Sequence, residues 1–160
     1  MDTSPGPAPL LRRAAAKAAP YVPAVGPRLR AVLYLVFALF AFLAATGVYL
    51  SAVTLLNYAR SPDNYTTPFG LWVLLAHIAV GVLGTLPFVG FGVVHWIGSH
   101  ERPNRVAVRL GVVLFLLGVA VCATGFALIQ IDGLPRLRPG SVPREVVYWL
   151  HVVVPAAAVW

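Results

Sequence analysis

Between Ala31 and Leu56 the chain runs on without one Asp, Glu, Lys or Arg, and Phe69–Ile97 does the same. A helix rises 1.5 Å per residue, so about 20 such residues span a hydrocarbon core of about 30 Å. A third run, Val106–Ile131, holds a single charge, Arg109, near its start. Backbone N–H and C=O groups in lipid find no water, so each run must close its hydrogen bonds within a helix. The fourth run, Val142–Trp160, opens on polar and helix-starting residues and stops at Trp160. The expected fold is all-α: a transmembrane four-helix bundle with helices at about 31–56, 69–97, 106–131 and 142–160. The fourth helix reads as truncated, to be completed by further sequence or by a partner.

Composition and charge narrow the function classes. Only 11% of the 160 residues are charged while 59% are apolar, and mean hydropathy is +0.83. A soluble domain, at about 25% charged, covers its surface with far more polar groups, so the lipid bilayer is the expected solvent. The net charge of +7 invites a nucleic-acid reading. The basic residues, however, flank the apolar runs and form no continuous stripe, which argues against nucleic acid and makes the charge a topology signal. Residues 1–30 carry Arg12, Arg13, Lys17, Arg28 and Arg30 among six prolines and read as a flexible basic arm preceding a membrane domain at 31–160. The arm and the second loop (Arg102, Arg105, with Arg109) hold eight Lys/Arg against four in the first and third loops, placing the N-terminus in the cytoplasm. Tyr34, Tyr49, Trp72, Trp96, Tyr148 and Trp149 lie near the ends of the runs, where interfacial aromatic belts form. The lone cysteine, Cys122, excludes disulfides, Cys-based zinc sites and covalent C-x-x-C-H haem within these residues.

The two halves repeat. Ala45-Thr46-Gly47 in the first run matches Ala123-Thr124-Gly125 in the third, and each is followed by a Pro-bearing loop and a helix with an early histidine. His77 and His151 lie 30 and 26 residues after the respective Gly, and 9 and 8 after Pro68 and Pro143. Two copies of one helical hairpin are expected, with the second and fourth helices parallel and both histidines at one depth near the outer side. An ionisable group inside a membrane is costly and marks a candidate site; the alternative is a histidine that only stitches helices together.

His95 follows His77 by 18 residues, five whole helical turns, so both occupy one face about 27 Å apart along the axis, with Pro87 between them able to kink the helix. Gly81, Gly84, Phe88, Phe91 and, less closely, Gly92 lie on that stripe. Bare backbone beside a histidine leaves room for a flat macrocycle; small residues equally serve close helix packing. Apart from Glu145 at the start of the fourth, the runs offer no carboxylate and no second thiolate, so zinc and di-iron carboxylate sites lack ligands, whereas haem iron needs only one imidazole from each of two facing helices. His77 and His151 meet that demand for one haem. His95 is the candidate ligand of a second, whose partner would lie past Trp160. His100 reads as a residue of the loop at the water edge, with proton transfer or quinone contact as its functional alternative.

Trp72 to His77, Leu86-Pro87-Phe88, Val94-His95-Trp96, Arg102 to Arg105 and Trp149-Leu150-His151 together resemble the four-helix, di-haem b-type cytochromes of bacterial inner membranes. The likeness is greatest to the membrane part fused in some bacteria to multi-haem c-type or other extracytoplasmic domains, and more distant to the cytochrome b subunits of formate dehydrogenases and hydrogenases. The resemblance covers about residues 31–160. It implies haem b held by His77 and His151, with His95 one ligand of an inner haem, and electron transfer between the quinone pool and an extracytoplasmic redox partner. A haem-free membrane anchor or assembly subunit is the alternative expectation. A transporter is disfavoured because no acidic or basic side chain falls well inside a run.

Overall fold

The computed structural model describes residues 25–60, 64–100, 102–130 and 136–159, so arm residues 1–24, Ile131 and Trp160 lie outside the described residues. The chain is all-α, with four helices: α1 (Pro27–Ala59), α2 (Pro68–Ser99), α3 (Arg105–Leu128) and α4 (Val142–Val159). α1 starts four residues earlier than the apolar pattern suggests, because Pro27 occupies the first helical turn, where its missing N–H costs nothing. Arg28 and Arg30 of the basic arm therefore belong to α1. Thr67 caps α2, its Oγ1 accepting from Gly70 N–H at 3.1 Å, again with Pro at the start. Asn104 caps α3 through Oδ1 and Ala107 N–H, also 3.1 Å. α3 stops at Leu128, three residues before the end of its apolar run, where Ile129 turns extended. Gly140, at φ 71°, takes the left-handed turn that leads into α4.

Length and hydropathy make this a multi-pass membrane protein: α1, α2 and α3 are each long and apolar enough to cross a bilayer. α4 has 18 residues and carries Arg144 and Glu145 in its first turn. Large apolar side chains face outward, Leu86 at 77% exposure and Trp72 at 72%, while among the described residues Val36 is the one apolar side chain buried as in a soluble core. In water such a surface would aggregate; against acyl chains it is the matched one.

The helices run up, down, up, down. α1 packs on α2 and α3 on α4 as two close hairpins, α2 meets α3, and α1 touches α4 most lightly. The register is legible in paired residues: Gly70 lies beside Tyr49, Gly81 beside Leu43 and Gly84 beside Leu39, indices rising on α2 as they fall on α1. Thr85 Oγ1 reaches Cys122 Sγ at 3.8 Å between the hairpins. Deeper along the same interface Phe88 lies over Gly118 and Phe115 over Gly92, a reciprocal lock in which a methyl on either glycine would run into the opposing ring. Phe40 of α1 meets Phe88 edge-on at 5.5 Å. α2 continues as a helix through Pro87. At the end of the bundle where α1 finishes and α4 begins, Tyr58 Oη donates to Glu145 Oε2 at 3.1 Å.

Candidate functional site

His77 of α2 and His151 of α4 meet between the hairpins, ring centres 6.2 Å apart and planes 83° to one another. Up-down topology makes their helices parallel, and their matched distances from the helix starts then bring them to one depth. Each ring is held from the other helix of its own hairpin. Thr46 Oγ1 lies 2.8 Å from His77 Nδ1, and Thr124 Oγ1 lies 3.1 Å from His151 Nδ1.

These contacts set the tautomer. Thr46 directs its hydroxyl proton to the Phe42 and Leu43 carbonyls at 2.9 and 3.1 Å, so toward the imidazole it is an acceptor. Thr124 does the same with Ala120 and Val121, at 2.8 and 3.0 Å. His151 Nδ1 also lies 3.1 Å from the Val121 carbonyl, which can only accept. The Val121 carbonyl thus calls for the proton of His151 on Nδ1, leaving its Nε2 lone pair for another partner, and the matching Thr46 geometry accommodates the same tautomer in His77.

The glycine after each threonine is where the opposing ring approaches. A Cβ on Gly47 would lie 3.5 Å from His77 Cε1, and one on Gly125 only 3.0 Å from His151 Cε1. The two Ala-Thr-Gly copies share one role and differ in another: each threonine holds Nδ1, while the His151 ring lies tight against Gly125 and the His77 ring at ordinary contact distance from Gly47. In the sequence this tripeptide marks the duplication and carries no assignment to the site. Its recurrence at a matched distance from a histidine was the available signal.

Both histidines line a cavity of about 1210 Å³ to which all four helices contribute. Gly47, Gly81, Gly84 and Gly125 lie along its wall, with Phe88 among the apolar side chains that shape it. Gly81 and Gly84 serve the close approach of α1 as well, since a Cβ there would touch Leu43 at 3.8 Å or Leu39 at 3.5 Å. They combine the two roles that the sequence left open for them, bare wall and helix packing.

His95 is not brought to this pair. It does not line the cavity; its ring stacks on Phe91 at 5.4 Å, and its Nδ1 is buried with no hydrogen-bond partner. An unsatisfied buried nitrogen is costly and asks for a reason. His100 sits at the exposed end of α2, Nδ1 facing the Trp96 and Ile97 carbonyls at 3.2 and 3.0 Å and its ring against Trp96.

The donor set suits an axially ligated macrocycle. Two imidazole nitrogens each about 2 Å from one metal ion hold their ring centres on the order of 6 Å apart, close to the observed separation. The described residues contain no group of three or more His, Cys, Asp or Glu side chains that could cage a bare ion. No family model, curated protein or solved structure matches this chain.

Proposed function

We propose that this chain is an electron-carrying membrane domain in which Nε2 of His77 and Nε2 of His151 would hold the iron of a b-type haem. The observation that carries the reading is the pair of imidazoles brought together from two parallel helices, ring centres 6.2 Å apart, each with Nδ1 held by a threonine hydroxyl. When bound, the haem supplies a reversible one-electron couple on iron. The protein's part is to hold, orient and tune. Thr46 and Thr124 fix ring rotation and tautomer and, by accepting from Nδ1–H, raise the donor strength of Nε2. Phe88 and the other apolar walls keep water from the cavity and the dielectric low.

His95, with its unsatisfied buried Nδ1, is the candidate ligand of a second haem nearer the opposite leaflet. In this reading the chain sits in a bacterial inner membrane, with the N-terminus and the α2–α3 loop on the cytoplasmic side that their excess of Lys and Arg favours and the His77–His151 pair toward the outside. In this arrangement electrons pass between quinone in the bilayer and a c-type cytochrome or other extracytoplasmic redox domain, as part of a respiratory oxidoreductase.

The rival reading, a haem-free anchor or assembly subunit, draws on the same hydrogen bonds, because Thr46–His77 and Thr124–His151 also stitch each hairpin. A reduced-minus-oxidised optical spectrum of the purified chain, made in a haem-producing host, separates the two. Haem bands in the wild type that are lost in both His77→Ala and His151→Ala support the proposal. A colourless wild type, or bands indifferent to both substitutions, overturns it in favour of the anchor.

A further inference from the structure

The cavity wall contains one formal charge. Arg144 is the single cationic side chain lining it among the described residues, and no Asp or Glu lines it. Arg144 precedes His151 by seven residues, two helical turns, so both project from one face of α4 about 10 Å apart along the axis. Tyr148 lies between them on the same stripe and also lines the cavity. Arg144 is half-buried, and its one hydrogen bond among the described residues is a long one, Nη1 to the Leu128 carbonyl at 3.5 Å. A guanidinium has five N–H donors, and this distance is at the limit of a hydrogen bond. Asn57 at the end of α1 and Gln130 just past α3 line the same end of the cavity and add amide groups. The cavity is thus polarised: apolar walls and paired imidazoles in its middle, an under-committed guanidinium with neutral polar groups at its outer end.

We infer that Arg144 is the carboxylate-recognising residue of this cavity, binding a propionate of the tetrapyrrole whose iron His77 and His151 hold; the inference rests on the haem reading above. The ligand class it selects is an apolar disc with carboxylates on one edge. A guanidinium accepts a carboxylate in a two-pronged, charge-assisted contact. Low dielectric makes a partnerless guanidinium costly and the pair correspondingly selective. An anionic lipid headgroup also offers negative oxygens, so the test distinguishes the two sources.

The experiment is a titration of haem-stripped full chain in detergent with protohaem and, separately, with its dimethyl ester, which keeps ring and iron but lacks the carboxylates. The readout is the Soret band of the two-histidine complex. Wild type binds the diacid about 10- to 100-fold more tightly than the ester, the range for one charge-assisted hydrogen-bonded contact. Arg144→Gln reduces that preference to a few-fold while ester affinity stays near wild type, and Arg144→Lys retains part of it. If Arg144→Gln binds neither porphyrin because it misfolds, Arg144→Lys alone carries the comparison, and an undiminished preference there counts against the inference. A histidine-ligated spectrum with the same diacid preference in wild type and both variants overturns the role of Arg144 and leaves the haem reading standing; it is also the result expected if the arginine serves a lipid phosphate. No two-histidine spectrum with either porphyrin in wild type overturns both.

Discussion

Replacing Thr46 by valine removes one hydroxyl and little else, since the two side chains have nearly the same shape. Among the described residues the hydroxyl is the one hydrogen-bond partner of His77 Nδ1, at 2.8 Å, and the change leaves that nitrogen unpaired in a half-buried setting. Side-chain hydrogen bonds inside bilayers average about 0.6 kcal/mol with a maximum near 1.7, and an orphaned buried donor costs about 1–3 kcal/mol. Thr46→Val is therefore expected to destabilise the fold by about 1–2 kcal/mol. Thr124→Val is the informative partner: His151 Nδ1 keeps the Val121 carbonyl at 3.1 Å, so only the average bond of about 0.6 kcal/mol is lost. Thr54→Val controls for the hydroxyl itself, because Thr54 bonds only to the Leu50 carbonyl of its own helix. Reversible unfolding by sodium dodecyl sulfate, followed by far-ultraviolet circular dichroism, reads the differences. The expected order of loss is Thr46→Val, then Thr124→Val, then Thr54→Val, with Thr46→Ser close to wild type. Equal losses for Thr46→Val and Thr124→Val, or no rescue by serine, would refute the tautomer argument. With haem bound, Thr46→Val also weakens the Nε2 donor and shifts the midpoint potential upward.

Two further outcomes follow from packing. Gly125→Ala places a methyl 3.0 Å from the His151 ring and should displace it, whereas Gly47→Ala meets His77 at an ordinary 3.5 Å; haem affinity, read by Soret titration, should fall in the first and stay near wild type in the second. Gly118→Ala drives a methyl into Phe88 and should cost about 1–3 kcal/mol in the same unfolding assay, as overpacking does, with Phe88→Leu relieving part of it.

Much of the site was legible before any coordinates. His77 and His151 could be paired because hairpins of similar length put residues equally far from two parallel helix starts at one depth, and that needs only run lengths and the 1.5 Å rise. Harder to see was which neighbours serve the rings. Gly81 and Gly84 stand out by sharing a helix with His77, yet the closest clearance comes from Gly47 and Gly125 on the opposing helices. Arg144 reads as one more loop cation in a topology count, and only the fold turns it into the same cavity as His151.

The sequence by itself determined the number of helices, the antiparallel hairpins and their duplication. Those follow from local rules: uninterrupted apolar length, prolines at helix starts, and the demand that a backbone in lipid bond to itself. The tertiary structure decided which face of each helix meets which. The apolar residues of α1 are spread almost evenly around its axis, so the hydrophobic pattern alone specifies no rotation. That rotation is chosen by contacts with α2: Leu43 and Leu39 against Gly81 and Gly84, Tyr49 against Gly70, and the Thr46 hydroxyl against His77.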